Sequence, residues 1–151
     1  MNEADISFSE VEEPPSWSNR YRDFCISVME SIGFHGTGVS ILFCSDEFIR
    51  YLNRSYRHKD EVTDVLSFQQ TGSEIPGTMG KYAGDIAISL DTVKRHADEF
   101  GVEYEEELKR VTIHAFLHLN GFTHTGTDPG EPMLLRQEQI INQFDGERIF
   151  Q

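Results

Sequence analysis

Residues 104–124, YEEELKRVTIHAFLHLNGFTH, constrain this chain more than any other stretch. Leu108, Val111, Ala115, Phe116 and Leu119 recur at helical spacing and predict a helix with one core face. Gly121 predicts where that helix ends, because glycine enters the left-handed terminating conformation without a Cβ clash. The segment holds His114, His118 and His124, half of the six histidines in the chain. Positions four apart lie one turn above each other on the same face. His114 and His118 can therefore aim two imidazoles at one point, and a chain reversing at Gly121 can return His124 as a third. Three imidazoles with a vacant fourth position are the donor set of a catalytic zinc site. Two helix histidines and a loop histidine holding no metal are the plainer alternative.

The spacing His-x-x-x-His-x-x-Gly-x-x-His is shared with zinc proteases in which a glutamate follows the first histidine and acts as general base. Here that position is Ala115, which has no proton-accepting group. The ligands remain and the peptidase signature does not. This points to a metal-activated water attacking some other electrophile, with a base or charge clamp supplied from elsewhere. A purely structural zinc site competes with this reading. Such sites usually have four protein ligands, often cysteines, and the two cysteines, Cys25 and Cys44, are far from the histidines in sequence.

The remaining elements follow from periodicity and punctuation. Alternation predicts a short strand over 5–9, and Pro14-Pro15 separate it from a helix over 18–32 that Gly33 stops. A buried strand over 38–44 comes next. Ser45 is the expected cap of a helix whose packed side is Phe48, Ile49, Leu52 and Tyr56. Arg50 and Arg54 read as a solvated face, whereas Arg57 falls where the helix gives way to a turn and can reach into a cleft. A strand over 64–68 is followed by a long loop, QQTGSEIPGTMGKY, with the character of a flap or substrate-binding edge. Residues 83–89 return to strand. Asp85 within it needs a partner, either as a structural acceptor or facing the metal site as proton acceptor or support for a ligand. A helix near Asp91–Glu99 precedes the histidine helix, and Pro132 suits the first position of the last one. The order β-α-β-α-β-β-α-α-α predicts an α+β domain. A small mixed sheet of about four strands is covered by helices, with the metal site on the penultimate helix and the following turn.

At 151 residues the chain is expected to form one domain, 1–151. No apolar run approaches the roughly 20 residues of a membrane helix, and the acidic N-terminus lacks an export signal. A cytoplasmic protein with reduced thiols and no membrane partner is expected. The formal net charge of -13 argues against a general nucleic-acid binder. The charge is uneven, however: residues 50–59 hold four of the thirteen basic residues and no acid. One local basic patch can place a phosphate backbone while the rest of the surface repels it.

These blocks together resemble the YbeY family of bacterial metal-dependent endoribonucleases. The first block is His114-Ala115-Phe116-Leu117-His118-Leu119-Asn120-Gly121-Phe122-Thr123-His124. The second is Asn53, Tyr56-Arg57, Lys59-Asp60 and Thr63-Asp64-Val65-Leu66-Ser67-Phe68. Gly84-Asp85-Ile86 with Ile88-Ser89 is the third. Ala115 stands for the family's usual glycine, Phe122-Thr123 for Tyr-Asp, and Val62 and Gln69 for frequent prolines. The resemblance implies one Zn2+ ion on His114, His118 and His124, and it carries the family's functionally important arginine onto Arg57. It implies cleavage of single-stranded RNA in maturation of the small-subunit (16S) ribosomal RNA 3′ end and in ribosome quality control. The implied partners are ribosomal RNA or the small ribosomal subunit, with ribosomal proteins. On that reading Arg57 binds the scissile phosphate, Lys59 positions the RNA backbone, and Asp85 orients the water or a histidine. A zinc peptidase or amidohydrolase with a carboxylate from elsewhere is the alternative enzyme. A ribosome-associated factor whose metal only locks helices together is the non-enzymatic one.

Overall fold

A four-stranded mixed sheet lies at the centre of the computed structural model, which describes residues 1–9, 11–74, 81–121 and 131–150, with 71–74 as backbone. Its strands are β1 (Glu3–Phe8), β2 (Thr37–Cys44), β3 (Val65–Glu74) and β4 (Lys81–Ser89), in spatial order β1-β2-β4-β3. β1, β2 and β4 are parallel, and β3 joins the edge antiparallel to β4. The helices are α1 (Ser18–Ile32), α2 (Asp46–Arg57), α3 (Leu90–Phe100), α4 (Tyr104–Leu119) and α5 (Pro132–Gln143). Element order and the α+β class are those expected from the sequence.

Short-range chemistry sets the boundaries. Ser45 caps α2 by accepting the Phe48 N–H at 3.1 Å. Ser89, rather than Asp91, caps α3 through the Thr92 N–H, so that helix starts one residue earlier. Gly121 follows α4 at φ +90°, its N–H bonded to the His118 carbonyl at 3.0 Å. The loop expected over 69–82 is a correction: β3 runs on to Glu74 and β4 begins at Lys81, with a register irregularity between Gln69 and Ser73. Gln69 to Ser73 show no hydrophobic alternation, yet ladder bonds are made by the backbone and need none. Residues 75–80 lie outside the described residues.

The two faces of the sheet differ. On one, α1 and α4 seal a large core that includes Phe24, Ile41, Ile86, Ile88, Phe116 and Leu117. The Tyr21 hydroxyl meets the Thr112 hydroxyl at 2.8 Å and pins α1 to α4. Burying each such large side chain stabilises by ~1.5–3 kcal/mol. On the other face the buried hydrophobic cluster among the described residues is small, Ile49 of α2 over Leu66 and Ala87. Phe48 and Tyr56, expected on the packed side, are 39% and 64% exposed, because α2 covers β3 and β4 but leaves β2 half open.

Gly84 fixes how α4 meets the sheet. It sits at φ +148°, and a Cβ there would lie 2.2 Å from the Phe68 carbonyl oxygen and 2.9 Å from Leu119 Cδ2. Only glycine allows β3, β4 and the end of α4 to approach this closely. Gln69 Nε2 then donates to the Leu119 carbonyl at 3.3 Å, tying the histidine end of α4 to the edge strand. Both cysteines are free thiols; burial pushes Cys25 well up and Cys44 up to about 11, so neither is a ready nucleophile.

Candidate active site

A cleft of about 940 Å³ runs between α4 and the outer edge of β3. The α4 wall supplies Glu107, Arg110, His114 and His118, which recur at helical spacing along one side. The C-terminal end of α2 and the turn after it supply Arg57 and Lys59, and α5 supplies Gln137. Four of the residues singled out from sequence, Arg57, Lys59, His114 and His118, therefore line one space. His124 falls within 122–130, outside the described residues.

The histidine pair has ligand geometry. His114 Nε2 and His118 Nε2 face each other at 3.1 Å, with ring planes at 74°. Two imidazoles on one tetrahedral ion, with bonds of ~2.0–2.1 Å, bring their nitrogens to about 3.3 Å. The proton on His114 is placed by its neighbour. Gln137 Nε2 donates to Glu138 Oε2 at 3.2 Å, which turns Gln137 Oε1 towards His114 Nδ1 at 2.7 Å. An amide oxygen only accepts, so Nδ1 carries the proton and Nε2 presents its lone pair to the cleft. Glu138 is itself gripped by Arg110 through two bonds of 3.1 Å. Partial burial would raise the Glu138 pKa, but Arg110 and Gln137 outweigh it and hold the carboxylate below its ordinary value. The relay Arg110–Glu138–Gln137–His114 was not legible from sequence, where Gln137 falls in the apolar period of the last helix.

Arg57 ends α2, and His58 at φ +60° turns the chain away. Its guanidinium donates to the Ser67 carbonyl on the exposed edge of β3 and sits 5.2 Å above the Phe68 ring. Among the described residues no carboxylate lies within ion-pair distance of Arg57 or Lys59. Arg110, by contrast, is matched by Glu106, Glu107 and Glu138. The positive charge left to recognise an anion is therefore at the α2 end of the cleft.

Asp64, His96 and Glu107 form a candidate metal-ligand cluster, their donor atoms within 4.8 Å of one another. Two of them line the same cleft as the histidines. Glu107 stands seven residues from His114 on α4, about 10 Å along the axis. The members of the cluster already have partners: His96 Nδ1 lies 3.3 Å from Asp64, and Glu107 accepts from Arg110 at 3.1 Å. Burial, partly offset by Arg110, raises the Glu107 pKa. No sequence motif joins these three residues; α3, α4 and the turn leading into β3 bring them together.

Asp85 requires a correction. On β4, Gly84, Ile86 and Ile88 point towards α4, and period-two alternation sends Asp85 and Ala87 to the α2 face. The Asp85 carboxylate accepts from the Tyr82 hydroxyl and from Gln70 Nε2 at 3.1 Å. The sheet separates it from the histidines, so it neither orients them nor takes a proton in their cleft.

The sequence model of the family described as Endoribonuclease YbeY matches residues 5–145. The chain belongs to the YbeY family. An Endoribonuclease YbeY of Treponema denticola is 41% identical over 150 residues, 96% of either chain. One from Treponema pallidum is 43% identical over 132 residues, covering 86% of this chain and 82% of the relative. The solution structure of a Thermotoga maritima protein superposes with a TM-score of 0.58 at 26% identity, over 95% of this chain and 90% of that one. The YbeY match spans α2, β3, α4 and α5, the elements that supply most of the cleft lining.

Proposed function

We propose that this YbeY-family chain is a zinc-dependent endoribonuclease that hydrolyses phosphodiester bonds in single-stranded RNA. Its place of action is the cytoplasm, in maturation of the small-subunit ribosomal RNA 3′ end and in ribosome quality control. The partners are ribosomal RNA, the small subunit and ribosomal proteins. The observation that carries the reading is the gathering of Arg57, Lys59, His114 and His118 on one cleft in a chain that matches the family over residues 5–145. No described helix is long and apolar enough to cross a membrane.

His114 and His118 offer facing Nε2 atoms, and His124 is proposed as the third ligand. These residues would hold a zinc ion, whose Lewis acidity when bound would make water a competent nucleophile near neutral pH. Gln137 keeps the His114 proton on Nδ1. Arg57 binds a non-bridging phosphate oxygen and stabilises the charge that grows there as the bond to the leaving oxygen breaks. Lys59 holds the adjoining backbone. Attack by water yields no cyclic end, whereas attack by the RNA 2′-hydroxyl yields a 2′,3′-cyclic phosphate.

Product-end analysis on a defined single strand tests this, run beside Arg57→Ala. The expected result is linear ends and a fall in kcat of roughly 10²–10³, the usual cost of one transition-state donor, with an unchanged melting temperature. Unchanged cleavage by purified Arg57→Ala removes Arg57 from the reaction.

A further inference from the structure

The face of the sheet opposite the histidines carries a second cavity, about 410 Å³, within the range of small-molecule sites. Its lining is mostly apolar and includes the rings of Phe48, Tyr56 and Phe68, while the sheet floor carries the polar Ser40 and Asp85 beside Gln70. The floor is built by register: Asp85 on β4 stands between Ser40 on β2 and Phe68 on β3. Tyr56 meets Phe68 edge-on at 5.5 Å, and the Arg57 guanidinium lies over the Phe68 ring at 5.2 Å. Tyr56, Phe68 and Arg57 thus form one continuous ledge from this cavity over the β3 edge to the cleft.

We propose that this groove is a nucleobase-binding subsite for the single-stranded RNA whose phosphate is held at Arg57, a proposal that rests on the ribonuclease reading. A base and its phosphate are separated by one ribose, so a phosphate at Arg57 brings neighbouring bases to the groove mouth. Exposed tyrosine and phenylalanine rings offer stacking surfaces that any base can use. The charge that fits is that of Arg57 and Lys59, at the end of α2 and in the turn after it, since Arg50 and Arg54 are matched by Asp60. The Asp85 carboxylate argues against a wholly apolar helix as occupant, which would strip water from it and give nothing back. A nucleobase brings N–H donors. Each Asp85 oxygen already accepts one bond and retains a second acceptor site. It therefore favours bases with an exocyclic amino group, the contact by which carboxylates read such bases.

The test measures affinity of the full chain for a short single-stranded RNA and for an abasic strand of the same backbone. Wild type is compared with Tyr56→Ala, Asp85→Asn and Arg57→Ala. Tyr56→Ala is expected to weaken the base-bearing strand by about 5- to 150-fold, the range for one lost stack, and to leave the abasic strand unaffected. Asp85→Asn is expected to reduce the preference for cytosine- over uracil-containing strands. If Tyr56→Ala binds both strands like wild type while Arg57→Ala loses both, the subsite is overturned and the RNA reading stands. A concentration-dependent dimer abolished by Tyr56→Ala, with RNA affinity unchanged, makes the groove a protein interface and also overturns it. A wild type that binds neither strand overturns the subsite and the ribonuclease reading together.

Discussion

The α4 face and the α2 face of the sheet use the same four strands to opposite ends. Under α1 and α4 the strands meet a sealed core, and the histidines project from the flank of a helix otherwise buried almost all round. On the α2 side the buried hydrophobic cluster among the described residues is Ile49, Leu66 and Ala87, and half-exposed Ser40 and Leu42 face an open groove. The sealed face holds chemistry rigidly, since a ligand pair must stay within a few tenths of an ångström of its geometry. The open face suits a substrate that arrives in many conformations. Arg57 lies where the two faces meet, with its helix on one side of the β3 edge and its guanidinium on the rim of the cleft.

The largest expected effect concerns which end of the cleft holds the metal. His114→Ala should abolish stoichiometric zinc and reduce cleavage to background, while His96→Ala should retain both, as read by elemental analysis and a cleavage assay on one preparation. Zinc lost from His96→Ala and kept by His114→Ala would move the metal centre to Asp64, His96 and Glu107. The next effect compares the faces by stability. Phe116→Ala in the sealed core should cost ~3–5 kcal/mol. Leu66→Ala should fall at or below the ~2 kcal/mol low end for such truncations, because its partly open surroundings can collapse or admit water. Urea melts giving equal costs would show that the α2 face is as tightly determined as the other.

A smaller and more local effect is expected at Gln137. Gln137→Leu keeps the bulk but removes the acceptor for His114 Nδ1–H, freeing the imidazole to change tautomer and turn. Zinc affinity should fall by roughly 10–100-fold, measured by chelator competition, with the melting temperature of the metal-free protein little changed. Unaltered affinity would mean that α4 packing alone orients the ring.

What was legible in the sequence follows the same division. The sealed face was readable because burial writes a 3.6-residue period: the α4 core residues, the stop at Gly121 and the pairing of His114 with His118 all follow from spacing. Arg57 at a helix end was readable for the same reason. The α2 face misled, because Phe48 and Tyr56 keep helical period while pointing at a groove rather than a core. Asp85 misled differently. An acid in an apolar strand signals a partner without signalling which side of the sheet it faces, and that is set by register with β2 and β3. Gln137 meets His114 through helix packing, and Asp64, just before β3, meets His96 and Glu107 only where α3 and α4 pack beside it, which leaves no local signature.

The smallest expected effect tests how the sealed face is closed at its end. Glu105, in the first turn of α4, accepts the backbone N–H groups of Ile149 at 2.7 Å and Phe150 at 2.9 Å, with Arg148 beside it. Ile149 is buried, and Phe150 packs against Trp17 and Tyr104, so this carboxylate fastens the C-terminal segment over the core. Burial would raise its pKa, but the two N–H bonds and the cations Arg148 and Lys109 outweigh that and hold it below the ordinary glutamate value. A depressed folded pKa means that the native state binds fewer protons than the unfolded chain. The stabilisation is therefore complete above the unfolded value, about 4.3, and drains away as pH falls through the lower folded value. Glu105→Gln keeps one acceptor oxygen and should cost about 1 kcal/mol at neutral pH, flattening the acid limb of the stability curve. Amide exchange should locate the loss at Ile149 and Phe150, and an exchange pattern there that ignores both pH and the substitution would show that aromatic packing alone holds the segment down.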